Sequence, residues 1–271
     1  MRVFISLFQV LETGQSNVLC LKFDQDFDLD EANSLTEDGL QGWRKGFMVS
    51  GSSDTSVCVW DLYAHPSEGG DGEEMAIMAE MRGVLRGHTG GVLDLRISDK
   101  WIISCSKDTL IRVWNRSTLA LHCTLKGHEG PVNAVGLQGN RVVSASGDGN
   151  MILWDITKGE RLRTFEGHDR GLACIDFKDD YIVSGSNDCH DMLVRALSFD
   201  PRSGRLVSGS YDRTVKVWDM HTGKMIREFK TCHASHIFDV KFDCNRIVST
   251  SHDQKIVVLH FADGLDTSLF A

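Results

Sequence analysis

An all-β fold built from a repeated four-stranded unit is what this sequence predicts, on three observations. First, the stretch from Gly87 to Asp155 repeats itself. GHTGGVLDLRISDKWIISCSKDTLIRVWN is followed by GHEGPVNAVGLQGNRVVSASGDGNMILWD, so that His128, Asp148 and Trp154 each stand 40 residues after His88, Asp108 and Trp114. Second, each copy holds short apolar runs (Val92 to Ile97, Trp101 to Ile103, Ile111 to Trp114) punctuated by polar turn residues such as Ser106-Lys107-Asp108, the pattern of strands and tight turns. Third, Gly-His at one end, Trp-Asp at the other and a period near 40 are the marks of a propeller blade. A four-stranded sheet cannot bury both of its faces alone, so such units stack around an axis. The fold class is therefore an all-β propeller of about six recognisable blades.

Four side chains recur with the strands: His88, Ser104, Asp108 and Trp114, then His128, Ser144, Asp148 and Trp154. An indole N–H, a hydroxyl, an imidazole and a carboxylate can join in one buried hydrogen-bond chain, costly to break at any member. The set is copied from unit to unit, whereas a catalytic triad would occur once, so its role is structural. The histidines lie one per repeat, which does not match zinc-ligand spacing. Outside these tetrads no nucleophile–base pair, phosphate loop or metal spacing occurs. No enzymatic activity, metal or cofactor is expected.

The 271 residues read as a single domain, 1–271. Composition is that of a globular protein, 41% hydrophobic and 25% charged, and the net charge of −9 argues against non-specific nucleic-acid binding. The eight cysteines contain no CxxC and several alternate inside strands, so reduced cysteines and a cytoplasmic or nuclear location are expected. No apolar run is long enough to cross a membrane.

In chain order, residues 3–11 form an extended apolar stretch, and VLCLKF (18–23) matches the first strand of a blade spanning about 12–86. Two acidic insertions, 24–45 and 63–80, interrupt that blade and read as exposed loops. Regular blades follow at 87–126 and 127–166. His168 opens the next, but after IVSGSND the expected Trp at position 194 is replaced by Val194, part of the following first strand. From His168 to His233 is 65 residues where two periods need about 80. The unit at 167–189 therefore lacks its last two strands. Units at 190–231 and 232–262 complete the series. In the last, Leu259-His260 replaces Trp-Asp, and residues 3–11 are expected to pair there and close the ring.

The copies SGSSDTSVCVWD, GHEGPVNAVGLQGNRVVSASGDGNMILWD and SGSYDRTVKVWDM resemble WD-repeat propellers. In detail VLCLKF, CSKDTLIRVW, SASGD, GHDRGLACIDF, LVRALSFD and IVSTSHD are similar to the substrate-receptor propellers of F-box/WD-repeat proteins, of the beta-transducin-repeat-containing type. That resemblance implies a non-enzymatic module of a ring of seven blades that binds phosphorylated degrons for an SCF-type ubiquitin ligase. The F-box is absent from this chain, so ligase components would be met through a longer product. Guanidinium forks suit phosphate, and Arg170 and Arg195 match arginines the family uses on its narrow face. Tyr211, Asn133, Asn187, Gly147, Ala173, Leu93 and Ser53 match the same channel. Lys107 and Arg112 are further rim charges. The family's first-blade arginine has no counterpart, and His236 stands where another would be. The alternative is a general WD-repeat scaffold that assembles protein complexes and has no tie to ubiquitin. Either way the partners are other proteins; neither nucleic acid nor membrane is expected.

Overall fold

The computed structural model describes residues 17–23, 44–66, 75–186 and 192–260. All elements among them are strands, grouped in two compact units, Met1–Lys126 and Gly127–Ala271. No helix among the described residues is long and apolar enough to cross a membrane.

The first unit holds two sheets. One has β1 (Val18–Phe23), β2 (Arg44–Ser52), β3 (Val57–Pro66) and β4 (Met75–Leu85) in sequential antiparallel order. The other has β5 (Val92–Ile97), β6 (Trp101–Ser106), β7 (Ile111–Asn115) and β8 (Leu121–Leu125) in the same order. Their facing sides share a core of Phe47, Val49, Val59, Val92, Leu95, Ile102 and Trp114. Of the stretch 63–80, expected as a loop, residues 63–66 and 75–80 are strand, and 67–74 lie outside the described residues. β3 and β4 pair out to Pro66↔Met75, so the insertion extends the hairpin as a paired arm. Backbone groups in such an arm are satisfied by the partner strand, which a solvated loop does not provide.

The second unit repeats the design with two departures. A regular sheet is formed by β9 (Val132–Gln138), β10 (Arg141–Ser146), β11 (Met151–Asp155) and β12 (Glu160–Phe165). Then β13 (Leu172–Lys178) and β14 (Tyr181–Ser186) stand as a two-stranded sheet. A full sheet follows with β15 (Val194–Asp200), β16 (Arg205–Ser210), β17 (Val215–Asp219) and β18 (Met225–Phe229). Three strands end the described chain: β19 (Ile237–Phe242), β20 (Arg246–Ser251) and β21 (Ile256–His260). First strands adjoin one another, with β13 lying against β9 on one side and β15 on the other, and β15 against β19. The expected pairing of residues 3–11 falls outside the described residues.

The fold is thus an all-β propeller in which, among the described residues, one blade lacks its last two strands, and burial records the loss. The second strands β6 and β10 bury Ile102, Ile103, Val142 and Val143 completely. In β14 the equivalent Ile182 and Val183 are only half-buried, and Tyr181 is 51% exposed. A second strand is covered when a third strand extends its sheet, and among the described residues β14 pairs only with β13. The gap reaches the neighbouring sheet too. Trp60, Trp114 and Trp154 are buried, whereas Trp218, paired with Leu206 on the side that packs toward β14, is half-buried.

Truncating a buried indole removes its contacts and leaves a cavity, so Trp154→Ala is expected to destabilise the protein by about 3–5 kcal/mol. Trp218→Ala should cost clearly less, because water already reaches that ring. Urea unfolding of the two variants checks the order; equal or inverted losses would contradict an uncovered half-blade.

Candidate protein-binding rim

The tetrads form connected chains. In the second sheet Trp114 Nε1–H donates to Ser104 Oγ (2.9 Å), Ser104 Oγ lies 2.9 Å from His88 Nε2, and His88 Nδ1 lies 2.8 Å from Asp108 Oδ2. The next repeat has Trp154 to Ser144 at 2.9 Å, Ser144 to His128 at 2.7 Å and His128 to Asp148 at 2.9 Å. One proton arrangement serves both chains: the serine accepts from indole and donates to Nε2, and Nδ1–H donates to the carboxylate, with Ile152 O a second acceptor 3.3 Å from Ser144 Oγ. In that arrangement the imidazole is neutral. Burial pushes the pKa of His88 and His128 down, against the pull of their aspartates. For Asp108, burial alone would raise the pKa, but the Thr89 N–H and His88 outweigh it and hold the carboxyl below its usual range. Asp148 is held down similarly against burial by the Asn150 N–H, His128 and the Glu129 N–H. The remaining units keep parts of the chain. Trp60 bonds Ser50, His168 bonds Ser184, Trp218 bonds Ser208, and His233 bonds both Ser249 and Asp253.

A second serine in each unit was not singled out from the sequence. Ser106, Ser146, Ser186, Ser210 and Ser251 are buried, and each donates to the loop that enters its first strand: to Gly90, Gly130, Arg170, Met192 and Ser235 carbonyls at 2.7–3.4 Å. Their recurrence two residues before each turn aspartate was the available signal.

At the same end of every sheet the register slips by one residue. The slip leaves Leu93 in β5, Asn133 in β9, Ala173 in β13, Arg195 in β15 and Phe238 in β19 each as the extra residue of a bulge. A bulge bends the strand and re-aims the side chain it frees. The turn after the second strand is tied to this end, since the N–H groups of Ser53, Lys107, Gly147, Tyr211 and His252 donate to Asn17, Gly91, Pro131, Leu193 and His236. Bulge residue and turn residue therefore meet on one rim of each unit.

In the second unit the rim brings together most of the expected binding residues. Asn133 Nδ2 donates to Leu172 O (2.7 Å), and Arg195 Nη1 donates to Ala173 O (3.1 Å). Gly147 and Gly171 approach so closely that a Cβ on Gly171 would lie 3.0 Å from Gly147 O, so any larger residue requires the Gly147 backbone to shift. Arg170 is exposed two residues before β13. Tyr211 stacks on His236 with ring centroids 4.5 Å apart, and Phe238 meets both Tyr211 and His252 edge-on. This aromatic group was missed because Phe238 and His252 are unremarkable until the bulge and turn place them together. Ser53 and Leu93 occupy the corresponding end of the first unit. Asn187 lies outside the described residues. Arg112 directs its guanidinium to Gly87 O and Thr124 Oγ1, so it braces its own blade. The described cysteines are free, and burial pushes the Cys20 and Cys174 thiols up to about 12. They serve as packing groups.

A chain of stacked sheets with copied structural tetrads, ending in a rim of re-aimed side chains, defines a repeat protein that presents a binding edge. Family comparison agrees: the profile described as WD domain, G-beta repeat matches residues 6–61, 79–115, 120–155, 159–193 and 188–219. The chain belongs to that family, whose propellers generally are non-enzymatic modules that bind other proteins. Among solved structures it is similar to the computationally designed Ika8 protein, with a TM-score of 0.69 and 27% identity over 94% of this chain and 74% of the other. Among curated proteins it resembles the ribosome biogenesis protein BOP1 homologs of Drosophila erecta and Drosophila melanogaster, each 50% identical over 42 residues. Those matches span 16% of this chain and 5% of the relatives' length.

The tetrads make stability pH-dependent. Because the folded pKa of His88 and His128 is depressed, the unfolded chain binds more protons as pH falls through about 6.5, and stability is lost. The depressed carboxyls of Asp108 and Asp148, and of Asp253 at about 2, act in the same direction below about pH 4. The urea midpoint should fall steadily from pH 7.5 to pH 5; a rise over that range would contradict neutral tetrad histidines.

Proposed function

We propose that this chain is a protein-interaction propeller whose rim in the second unit holds an extended segment of a partner by an anionic side chain, preferably a phosphorylated one. The observation that carries the reading is the Arg195 guanidinium. A bulge frees it from the strand, and one N–H fixed on Ala173 O orders it while the rest of the fork remains to meet a ligand. Arg170 supplies a second positive charge on the entry loop of the neighbouring sheet, and Asn133 and Tyr211 line the same end. In its finer form this is the substrate receptor of an SCF-type ubiquitin ligase, a reading that rests on sequence resemblance alone, with Arg170 and Arg195 carried by GHDRGLACIDF and LVRALSFD. A second reading, a scaffold in ribosome biogenesis, is favoured by the match to the BOP1 homologs, 50% identical over 42 residues.

Fluorescence anisotropy with a doubly phosphorylated peptide and its unphosphorylated twin tests the proposal. Tighter binding of the phosphorylated form is expected, weakened at least about tenfold by Arg195→Ala, since charge-assisted hydrogen bonds are each worth roughly 1.5–3 kcal/mol. Indifference to phosphate, with partner capture unaffected by Arg195→Ala, would favour the scaffold.

A further inference from the structure

We infer that the half-blade of the second unit is a docking slot for an apolar β-hairpin of a partner protein, one carrying an indole on the strand that pairs with β14. The intact repeats show what covers such an edge. In β10, Val142 pairs with Trp154, Val143 with Leu153 and Ser144 with Ile152, and Trp154 Nε1–H reaches Ser144 Oγ. In β6, Ile102 pairs with Trp114 and Ile103 with Val113. β14 offers the same run, Ile182, Val183 and Ser184, with His168 already 2.9 Å from Ser184 Oγ and no indole donor on that hydroxyl among the described residues.

The chain leaves too little length between strands to cover this edge locally. Seven residues separate Ser186 from Val194, where 25 separate Ser106 from Val132 and Ser146 from Leu172. Both walls of the slot are apolar and incompletely covered. On one side Met151, Leu153 and Ile182 pack against one buried cluster that includes Val143 and Leu172, yet Met151 and Leu153 are half-buried where the equivalent Ile111 and Val113 are fully buried. On the other side Leu206 and Val183 pack against the cluster of Cys174, Val194 and Leu197, and the half-buried Trp218 is Leu206's strand partner. Stacked sheets stand about 10 Å apart, so a missing outer half-blade leaves room for extended chain of one sheet's thickness. The edge itself, Tyr-Ile-Val-Ser-Gly-Ser, carries no charge and no proline, the usual guards against strand addition. Backbone groups on an unpaired edge give affinity, and side chains on alternate positions give specificity.

The probe is a labelled synthetic hairpin with the sequence of residues 148–166, DGNMILWDITKGERLRTFE, titrated into the full chain. Saturable binding of one hairpin per chain is expected, with a rise in melting temperature. A hairpin carrying Trp154→Ala should bind at least about tenfold more weakly. Tyr181→Lys, a change at a half-exposed strand end verified as folded by circular dichroism, should weaken binding as well, while Arg195→Ala leaves it unchanged. Absence of binding by the folded chain, or equal binding of the indole-free hairpin, overturns the proposal. So does self-association in sedimentation that Tyr181→Lys abolishes, which would assign the slot to a second copy of the chain.

Discussion

The buried chain from tryptophan through serine and histidine to aspartate is the interaction on which the rest of the structure depends. It crosses four parts of a blade: the loop before the first strand, the second strand, the turn after it and the third strand. Each bond is ordinary in strength, but a buried donor or acceptor that loses its partner costs its full desolvation. The chain therefore acts as a unit, fixing the distance between the entry loop and the outer strands. Around the complete chain His88–Ser104–Asp108–Trp114 the second strand is wholly buried, and around His128–Ser144–Asp148–Trp154 all of it but Arg141.

The rim adds a second regularity. The first strand carries one extra residue before it pairs, at the same place in each sheet, including the first sheet, which has no tetrad histidine. Leu93, Asn133, Ala173, Arg195 and Phe238 are thereby equivalent in backbone and different in chemistry. A repeated scaffold thus presents a non-repeated set of side chains, a general route to specificity in a protein whose core is nearly uniform.

The half-blade shows what happens when the chain of bonds is cut. His168 and Ser184 keep their contact, and β13 keeps its neighbours on both sides, so the inner part of the blade is retained. What is lost is cover: apolar groups on β14, β11 and β17 are left half-buried around one edge. Exposed apolar surface rimmed by ordered backbone is the kind of surface that other chains recognise.

Much of this was legible in the sequence because the physics of a blade is local and copied. Strand positions follow from alternating apolar residues, the tetrads from a 40-residue spacing, and the truncated unit from seven residues standing where 25 belong. Arg170, Arg195 and Tyr211 were named through the resemblance to F-box/WD-repeat propellers, and the structure shows which end of its sheet each occupies. Three things were decided only by tertiary structure. Residues 63–80 read as an acidic loop, yet β3 and β4 pair through 63–66 and 75–80, because cross-strand bonding overrides a loop-like composition. The Tyr211, His236, Phe238 and His252 group draws on two different sheets, which no linear pattern links. The bulges that aim the rim are a matter of register between strands, and register is a property of paired chains that a single chain's alternation does not specify.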